Sequence, residues 1–305
     1  MDDRSGKGRL RRGKKWRGVG VGATLLLVLA VALGLGRFVA AARREHAAVA
    51  AIEASGGVVR WDDADDGSTG TPGAKQMARR WADRLGIGSY FRTVAVVSFP
   101  ALGDPDWRPA PDVAPGQRVR LLADLRALRE LDLRKGANDA ELAQLPDLPH
   151  LEELSLSSAA GAHITDAGLA HLAGLTNLRR LWVGNSRVTD RGLVPLRGMS
   201  RLEFVCLQGG LTTGEGLSHL AGATHLRHLK LLACGITDAG IEQIIKHANL
   251  KSLTIRSCRA TAPALDRLAG LNQLSYLSLG ARLLSDDEKQ RLRNLMRFVP
   301  RLSIS

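Results

Sequence analysis

Cysteine and aromatic residues are scarce in this chain. Its 305 residues include only 3 Cys, 5 Phe, 5 Trp and 2 Tyr. Three cysteines exclude a scaffold held together by several disulfides, and the absence of a CxxC pair excludes a zinc or redox site of that type. The sequence also has no Gly-x-Ser-x-Gly motif, no phosphate-binding loop and no ligand set among its 8 His. We therefore predict a protein that is not an enzyme and that uses no metal or cofactor.

Positive charge is concentrated at the N-terminus. The formal net charge is +13, but residues 1–18 alone carry eight Lys or Arg against Asp2 and Asp3. From Glu45 onward, 32 basic residues face 28 acidic ones. A nucleic-acid-binding domain spreads its basic residues over a folded face, so this distribution predicts no nucleic-acid partner.

A long uncharged run follows the basic tail. The 19 residues 18–36 hold no charged side chain, and as a helix they would extend about 28 Å, close to the roughly 30 Å hydrocarbon core of a bilayer. Trp16 and Phe38 flank the run at interfacial depth. Basic residues before the run outnumber those after it, which predicts a cytoplasmic N-terminus and an extracytoplasmic (periplasmic) remainder. A cleaved signal peptide, with 40–42 as its small-residue site, is the alternative.

The region after this run predicts a helix and a strand separated by glycines. Residues 43–54 are rich in alanine and end at Gly56-Gly57, and residues 58–61 alternate as a strand does. Flexible loops are expected at 62–73, which is acidic, and at 100–115, which holds five prolines, with a further helix at 74–85.

The strongest signal is an internal repeat of the phrase L-x-x-L-x-x-L-x-L. Successive copies are separated by steps of 23, 27, 24, 24, 24, 24 and 25 residues. A variant copy beginning at Phe91 precedes them and suits a capping unit. The copies begin at Leu125, Leu148, Leu175, Met199, Ala223, His247, Leu271 and Met296.

Each copy predicts one short strand and one covering helix. The final L-x-L is a strand whose leucines face inward and whose middle residue faces outward. The phrases Ile164–Leu169, Val188–Leu193 and Ile236–Ile241 read I/V-T-D-x-G-L/I, and Thr or Asp there suits the cap of a short helix. Because one unit cannot bury its leucines alone, stacked units build a continuous parallel sheet.

The period and the phrases resemble the leucine-rich repeat. The Thr-Asp-Ala-Gly-Leu phrase, with Cys234 and Cys258 five residues after Leu229 and Leu253, is similar to the cysteine-containing repeats of F-box proteins. The basic tail, the uncharged run, Gly56–Trp61 and 91–94 together resemble membrane-anchored leucine-rich-repeat proteins of planctomycete bacteria. These resemblances imply a protein-interaction or envelope role. No F-box-like helical segment is present, which argues against an F-box-like adaptor.

The predicted fold is therefore α/β: a leucine-rich-repeat solenoid with a parallel β-sheet on the concave face and short helices on the convex face, preceded by one transmembrane helix. Four segments follow from this fold. They are a basic cytoplasmic tail (1–17), a transmembrane signal-anchor helix (18–42), a helix/strand cap region with flexible loops (43–118) and the leucine-rich-repeat domain (119–305).

The outward-facing residues of the sheet form the surface that we call the concave face. Its central column is predicted as Asp132, Ser155, Trp182, Cys206, Lys230, Thr254, Ser278 and Ser303. Aromatic groups beside cations are typical of binding hot spots, and the core does not need them there. The candidate ligand-binding residues are Arg180, Trp182, Phe204, His228, Lys230, Arg256 and Tyr276.

These residues predict a membrane-tethered module that binds a protein or peptide on the concave face and contacts the lipid bilayer through its N-terminal helix. A structural envelope protein that associates with itself is the alternative, and a glycan binder is a third hypothesis. Cys234 and Cys258 are expected to pack inward, whereas Cys206 is expected to be exposed.

Overall fold

A computed structural model describes residues 17–61, 94–99, 117–125, 127–134, 136–157, 163–280 and 283–305. The side chains of residues 17–28, 31 and 35 are not described. The chain divides into two compact units, Met1–Arg44 and Glu45–Ser305. Residues 1–16 of the predicted tail, both predicted loops, the predicted helix at 74–85 and Phe91 lie outside the described residues.

The N-terminal segment forms one helix, α1 (Arg17–Ala54), of 38 residues. The helices predicted at 18–42 and at 43–54 are continuous in α1, because the sequence from Arg37 to Ala54 contains no glycine or proline that would end a helix. The helix ends where Gly56 adopts a φ of 80°, the left-handed conformation that glycine accepts at low cost. Among the described residues, no helical stretch combines the length and the mean hydropathy that crossing a membrane requires.

In the described part of the chain, ten strands form a single sheet in which spatial order follows chain order. The first two strands pair antiparallel, and every later neighbour pairs in parallel. The strands are β1 (Val58–Trp61), β2 (Val94–Ser98), β3 (Glu130–Leu133), β4 (Glu153–Ser157), β5 (Arg180–Gly184), β6 (Phe204–Gln208), β7 (His228–Leu232), β8 (Ser252–Ile255), β9 (Tyr276–Leu279) and β10 (Arg301–Ile304).

Short helical segments connect most of the strands. The apolar residue that follows each I/V-T-D-x-G phrase is fully buried, at Leu169, Leu193 and Ile241, which confirms that these segments face the core. The α-helices are α2 (Gln117–Arg120), α3 (Asp139–Leu142), α4 (Asp166–Ala170), α5 (Asp238–Ile244), α6 (Ala262–Asp266) and α7 (Asp286–Leu295). Single 3-10 segments lie at Leu121–Asp124, Arg191–Gly198, Glu215–Leu220 and Arg267–Gly270.

The strand register confirms the predicted repeat. Leu229 pairs with Val205 on one side and with Leu253 on the other, and all three side chains are completely buried. The middle residues of the L-x-L phrases form one continuous outward column, as in the pairing of Trp182 with Cys206. The recurring phrase produces this register, because each unit places the same position of the phrase one strand further along the sheet.

The N-terminal end of the core is closed by the last turns of α1. Ala48, Val49 and Ile52 are buried in one cluster with Val94 and Val97 of β2. The Glu45 carboxylate accepts a hydrogen bond of 2.9 Å from the backbone N–H of Val94, the first residue of β2. Burial raises the pKa of Glu45, although this hydrogen bond and the nearby His46 lower it in part. The last turns of α1 and the antiparallel pair of β1 and β2 therefore cap the parallel sheet that begins with β2 and β3.

A left-handed residue follows several strands at the same place in the repeat. Asn185, Gly209, Ala233 and Ser257 have φ values of 48°, 76°, 57° and 64° and are each 24 residues apart. This conformation costs a non-glycine residue about 1–2 kcal/mol. It persists because the next chain segment must turn away from the sheet to begin its helical crossover.

The Thr-Asp pairs join neighbouring units, which the sequence analysis did not anticipate. Thr165 caps α4 by accepting a hydrogen bond from the N–H of Ala167, but the next residue, Asp166, does not cap its own helix. Its carboxylate accepts bonds from the N–H and the hydroxyl of Thr189 in the following unit, at 2.8 and 2.6 Å. The same contact recurs in the pairs Asp139–Thr165, Asp166–Thr189, Asp190–Thr213 and Asp238–Thr261. We call this series the Asp–Thr ladder.

The ladder also explains the glycine in two of the three I/V-T-D-x-G phrases, at Gly168 and Gly192. A Cβ atom on Gly168 would lie 2.2 Å from an oxygen of Asp139, and one on Gly192 would lie 2.2 Å from an oxygen of Asp166. Side-chain atoms do not approach this closely. The glycine therefore makes room for the carboxylate of the preceding unit.

Replacing Asp190 by Asn is expected to lower the free energy of unfolding by about 2 kcal/mol at neutral pH, because charge-assisted hydrogen bonds are lost. Asp190 accepts bonds of 2.9 and 2.7 Å from Thr213, 3.1 Å from Gly214 and 2.8 Å from Gly216. Urea unfolding of the purified chain measures the loss. Asp287→Asn, on an exposed carboxylate of α7, is the matched control and should change the free energy by less than about 0.5 kcal/mol.

The same substitution has an expected pH dependence. Desolvation raises the pKa of Asp190, but the hydrogen bonds from Thr213, Gly216 and Gly214 together hold it below its ordinary value of 3.8. A depressed folded-state pKa contributes stability that is present above the unfolded pKa and is lost as the pH falls through the folded pKa. The difference between the wild type and Asp190→Asn should therefore be constant near neutral pH and shrink below 3.8. A difference that grows in acid would contradict the ladder.

Candidate ligand-binding face

An aromatic and cationic cluster occupies the middle of the concave face. The rings of Trp182 and Phe204 lie 6.4 Å apart at 25°, and those of Phe204 and His228 lie 6.4 Å apart at 38°. The Lys230 ammonium lies 5.5 Å from the centre of the Phe204 ring, within the range of a cation–π interaction. Phe204 is therefore the centre of the cluster and lies close to three neighbours on the two strands beside its own.

An open cleft of about 420 Å³ borders this cluster. Its lining combines both aromatic rings with ionic groups, a mixture that suits a ligand carrying both apolar and charged groups. The side chains and backbone that line it belong to Glu153, Leu154, Ser155, Arg180, Trp182, Glu203, Phe204, Arg227 and His228.

Two ion pairs hold the side chains of Arg179 and Arg180 beside the cleft. Arg180 binds Glu153 at 2.7 Å, and Arg179 binds Glu203 at 2.6 Å. The hydrogen bond from Arg179 is the main influence that lowers the pKa of Glu203. A second cleft, of about 390 Å³ and lined by Glu152, Arg179 and Glu203 among others, lies beside this pair. This rim of the concave face is thus built from the first residues of the strands and from the residues directly before them.

The expected exposure of Cys206 is wrong, because its side chain has 0% of its surface accessible. Trp182 and Lys230 are its partners on the two adjacent strands, so the short thiol lies between two much longer side chains. Burial raises the pKa of Cys206 to about 11 although Lys230 lowers it in part. The thiol is therefore protonated at neutral pH and is not an activated nucleophile.

The other two cysteines are buried, as predicted, with exposures of 0% for Cys234 and 5% for Cys258. Within the described ranges, no three His, Cys, Asp or Glu side chains form a group that could hold a metal ion.

The structure brings together five of the seven candidate residues: Arg180, Trp182, Phe204, His228 and Lys230. Tyr276 and Arg256 lie on the same face but further toward the C-terminus, outside the cleft. The sequence analysis missed Arg227 and Glu203, which also line the cleft. The signal for them was the position directly before each predicted strand, which holds a charged residue in unit after unit.

No family model and no curated protein sequence matches this chain. Many solved structures are similar to it, and two of them are the following. An internalin (inlF) from Listeria monocytogenes is 16% identical, with a TM-score of 0.36 over 61% of this chain and 63% of that one. A TDR receptor is 19% identical, with a TM-score of 0.38 over 52% of this chain and 27% of that one.

The chain thus spans less than two thirds of either protein, both of which are leucine-rich-repeat proteins. Its own repeat phrase and its ten-stranded, sequentially ordered sheet make the fold an α/β solenoid of leucine-rich repeats.

Proposed function

We propose that this protein is a non-enzymatic interaction module that binds a protein or peptide ligand on the concave face. The observation that carries the proposal is the aromatic and cationic cluster beside the open cleft. The inward leucines supply the core, so Trp182 and Phe204 are not needed to fill it. Partly accessible aromatic groups beside cations are the side chains that dominate binding energies at protein interfaces.

The double substitution Trp182→Ala with Lys230→Glu is expected to abolish capture of specific partners when the full chain is crosslinked in its native membranes. Both side chains lie outside the core, so the fold should survive. The matched control is Arg191→Glu with Val194→Ala, two exposed positions of the 3-10 segment on the convex side. It should capture the same partners as the wild type.

Equal capture by the concave variant and the wild type would overturn the assignment of this face. Capture of this chain alone would favour the self-associating envelope protein, and capture of saccharide alone would favour the glycan binder.

The proposal includes a membrane tether at 18–42, with the N-terminus in the cytoplasm and the repeats on the extracytoplasmic side. Two observations support it: the uncharged run 18–36 in the sequence, and the helical backbone of α1 over that run. The phrases shared with membrane-anchored planctomycete proteins agree with it. The chain should resist alkaline extraction from membranes, and protease added to intact spheroplasts should digest the repeats. Release by alkali, or protection of the repeats, would contradict the tether or its orientation respectively.

A further inference from the structure

The two halves of the concave face differ in whether their cations are paired with carboxylates. In the N-terminal half the cations are paired with carboxylates on the same surface. Glu130 lies 3.5 Å from Arg60, Asp132 lies 2.6 Å from Arg134, and Arg180 is paired with Glu153. These pairs neutralise that half, so it offers little net attraction to a charged ligand.

From β7 onward, the described cations of the concave face have no such partners. Among the described residues, no carboxylate lies within 4.0 Å of the side-chain nitrogens of Lys230, Lys251 or Arg256. The four strand segments 227–232, 251–256, 275–280 and 300–305 contain no Asp or Glu at all. The charge of Arg227 acts on Glu203, but the carboxylate of Glu203 is already bonded to Arg179.

Three acidic residues of this half form their hydrogen bonds and ion pairs on the convex side. Asp238 accepts bonds from Thr261, Glu242 is paired with Arg267, and Asp266 is paired with Arg291 at 2.5 Å. They are therefore not available to neutralise the sheet, and the C-terminal half of the concave face carries an uncompensated positive charge.

The imidazole of His228 lies close to these cations, and their charges affect its pKa. Desolvation lowers the pKa of its imidazole, and the charges of Lys230, Arg180, Arg227 and Lys251 lower it further. Four cations on or directly before the strands thus act on one ring, which is the condition for a surface that concentrates anions.

Apolar surface lies directly beside these cations. Trp182 and Phe204 line the cleft, and Tyr276, which is 38% exposed, lies two strands beyond His228. A uniformly charged polymer would leave this aromatic surface unused and would find unpaired cations on only one half of the sheet. A polypeptide segment offers both carboxylates and apolar side chains, and therefore matches the whole face.

We propose that the ligand of the concave face is an acidic, extended protein segment. Its carboxylates contact Arg227, Lys230 and Lys251, and one aromatic or aliphatic side chain enters the cleft against Trp182 and Phe204. Strands β5 to β10 span about 24 Å at about 4.8 Å per step, which corresponds to roughly seven extended residues. This inference rests on the proposed function, since it names the chemistry of the partner for the same face.

The test is selection of a random library of peptides of about 12 residues on the purified full-length chain, followed by measurement of the affinity of the enriched peptides for the wild type and for the variant Arg227→Glu with Lys230→Glu. We expect the enriched peptides to be rich in Asp and Glu around an apolar residue. Their affinity should fall at least about tenfold for the variant and should fall as salt concentration rises. The matched control, Arg191→Glu with Lys246→Glu, makes the same charge change on exposed residues of the convex side and should leave the affinity unchanged.

The outcomes separate this inference from the proposed function. Enriched peptides of neutral or basic composition that the concave variant fails to bind would overturn the acidic ligand and leave the binding face in place. Tighter binding of a heparin oligosaccharide than of any enriched peptide would overturn the peptide ligand in favour of an anionic glycan. Peptides bound equally by the wild type and the concave variant would overturn both the inference and the proposed face.

Discussion

Leu229→Asp is expected to unfold the central repeats. Leu229 is completely buried, with neighbours from β6 and β8 on both sides in the register. The substitution removes the roughly 1.5–3 kcal/mol that a buried leucine contributes and places a carboxylate where no partner is available, which adds several kcal/mol more. The sum of about 5 kcal/mol or more is comparable to the whole stability of many domains.

Circular dichroism during urea unfolding measures the overall loss, and amide hydrogen exchange locates it, since repeat arrays open unit by unit. The matched control is Leu232→Asp on the same strand. Leu232 is only half-buried and faces the concave side, so we expect a loss of less than about 1 kcal/mol. An unchanged melting temperature for Leu229→Asp would show that the register is wrong.

Glu141→Ala is expected to cost about 3–5 kcal/mol, the range for breaking a buried ion pair on one side. Glu141 is 1% exposed. Its carboxylate receives two hydrogen bonds from Arg118, one of them 2.7 Å long from Nη2, and Arg118 also lies 5.1 Å from the centre of the Phe99 ring. The alanine leaves the guanidinium in the same enclosed position without this carboxylate.

Removing both charges tests the mechanism. The double variant Arg118→Met with Glu141→Leu should recover most of the lost stability, because neither charge is then left in the low-dielectric interior. Chemical denaturation of the wild type and the two variants measures the difference. A double variant as unstable as Glu141→Ala would show that the side-chain volumes, and not the ion pair, determine the effect.

The sequence predicted the parts of this fold that depend on period. A step of 24 residues brings Leu229 beside Leu253 and Trp182 beside Cys206, and the structure confirms that register. Exposure within the outward column could not be read in the same way. The pattern marks Cys206 as outward, but its burial depends on the size of the side chains beside it on other strands.

The role of Asp166 was also hidden, although its motif was evident. Both a helix cap and a bond to the next unit require an oxygen acceptor at the start of a helix, so residue type alone does not distinguish them. The glycine two residues later was the discriminating signal, because only contact from the preceding unit requires the missing Cβ. The cleft residues Arg227 and Glu203 were missed for a related reason: they lie before the strands, where the repeat pattern specifies neither direction nor partner.

The Asp–Thr ladder lacks a carboxylate contact between the pair Asp190–Thr213 and the pair Asp238–Thr261. Where the phrase would place an aspartate, the chain has Gly214, and Thr237 in the next unit bonds instead to the backbone carbonyl of Thr213, at 3.0 Å from its N–H and 3.4 Å from its hydroxyl. Under tension along the solenoid, this uncharged junction should yield before the charge-assisted ones on either side. The protein would then part into two blocks, one ending with β6 and the other beginning with β7, and the fracture would run through the concave face between Phe204 and His228. A ligand lying across that line would hold the two blocks together, so its binding would also set the force that the repeat array withstands.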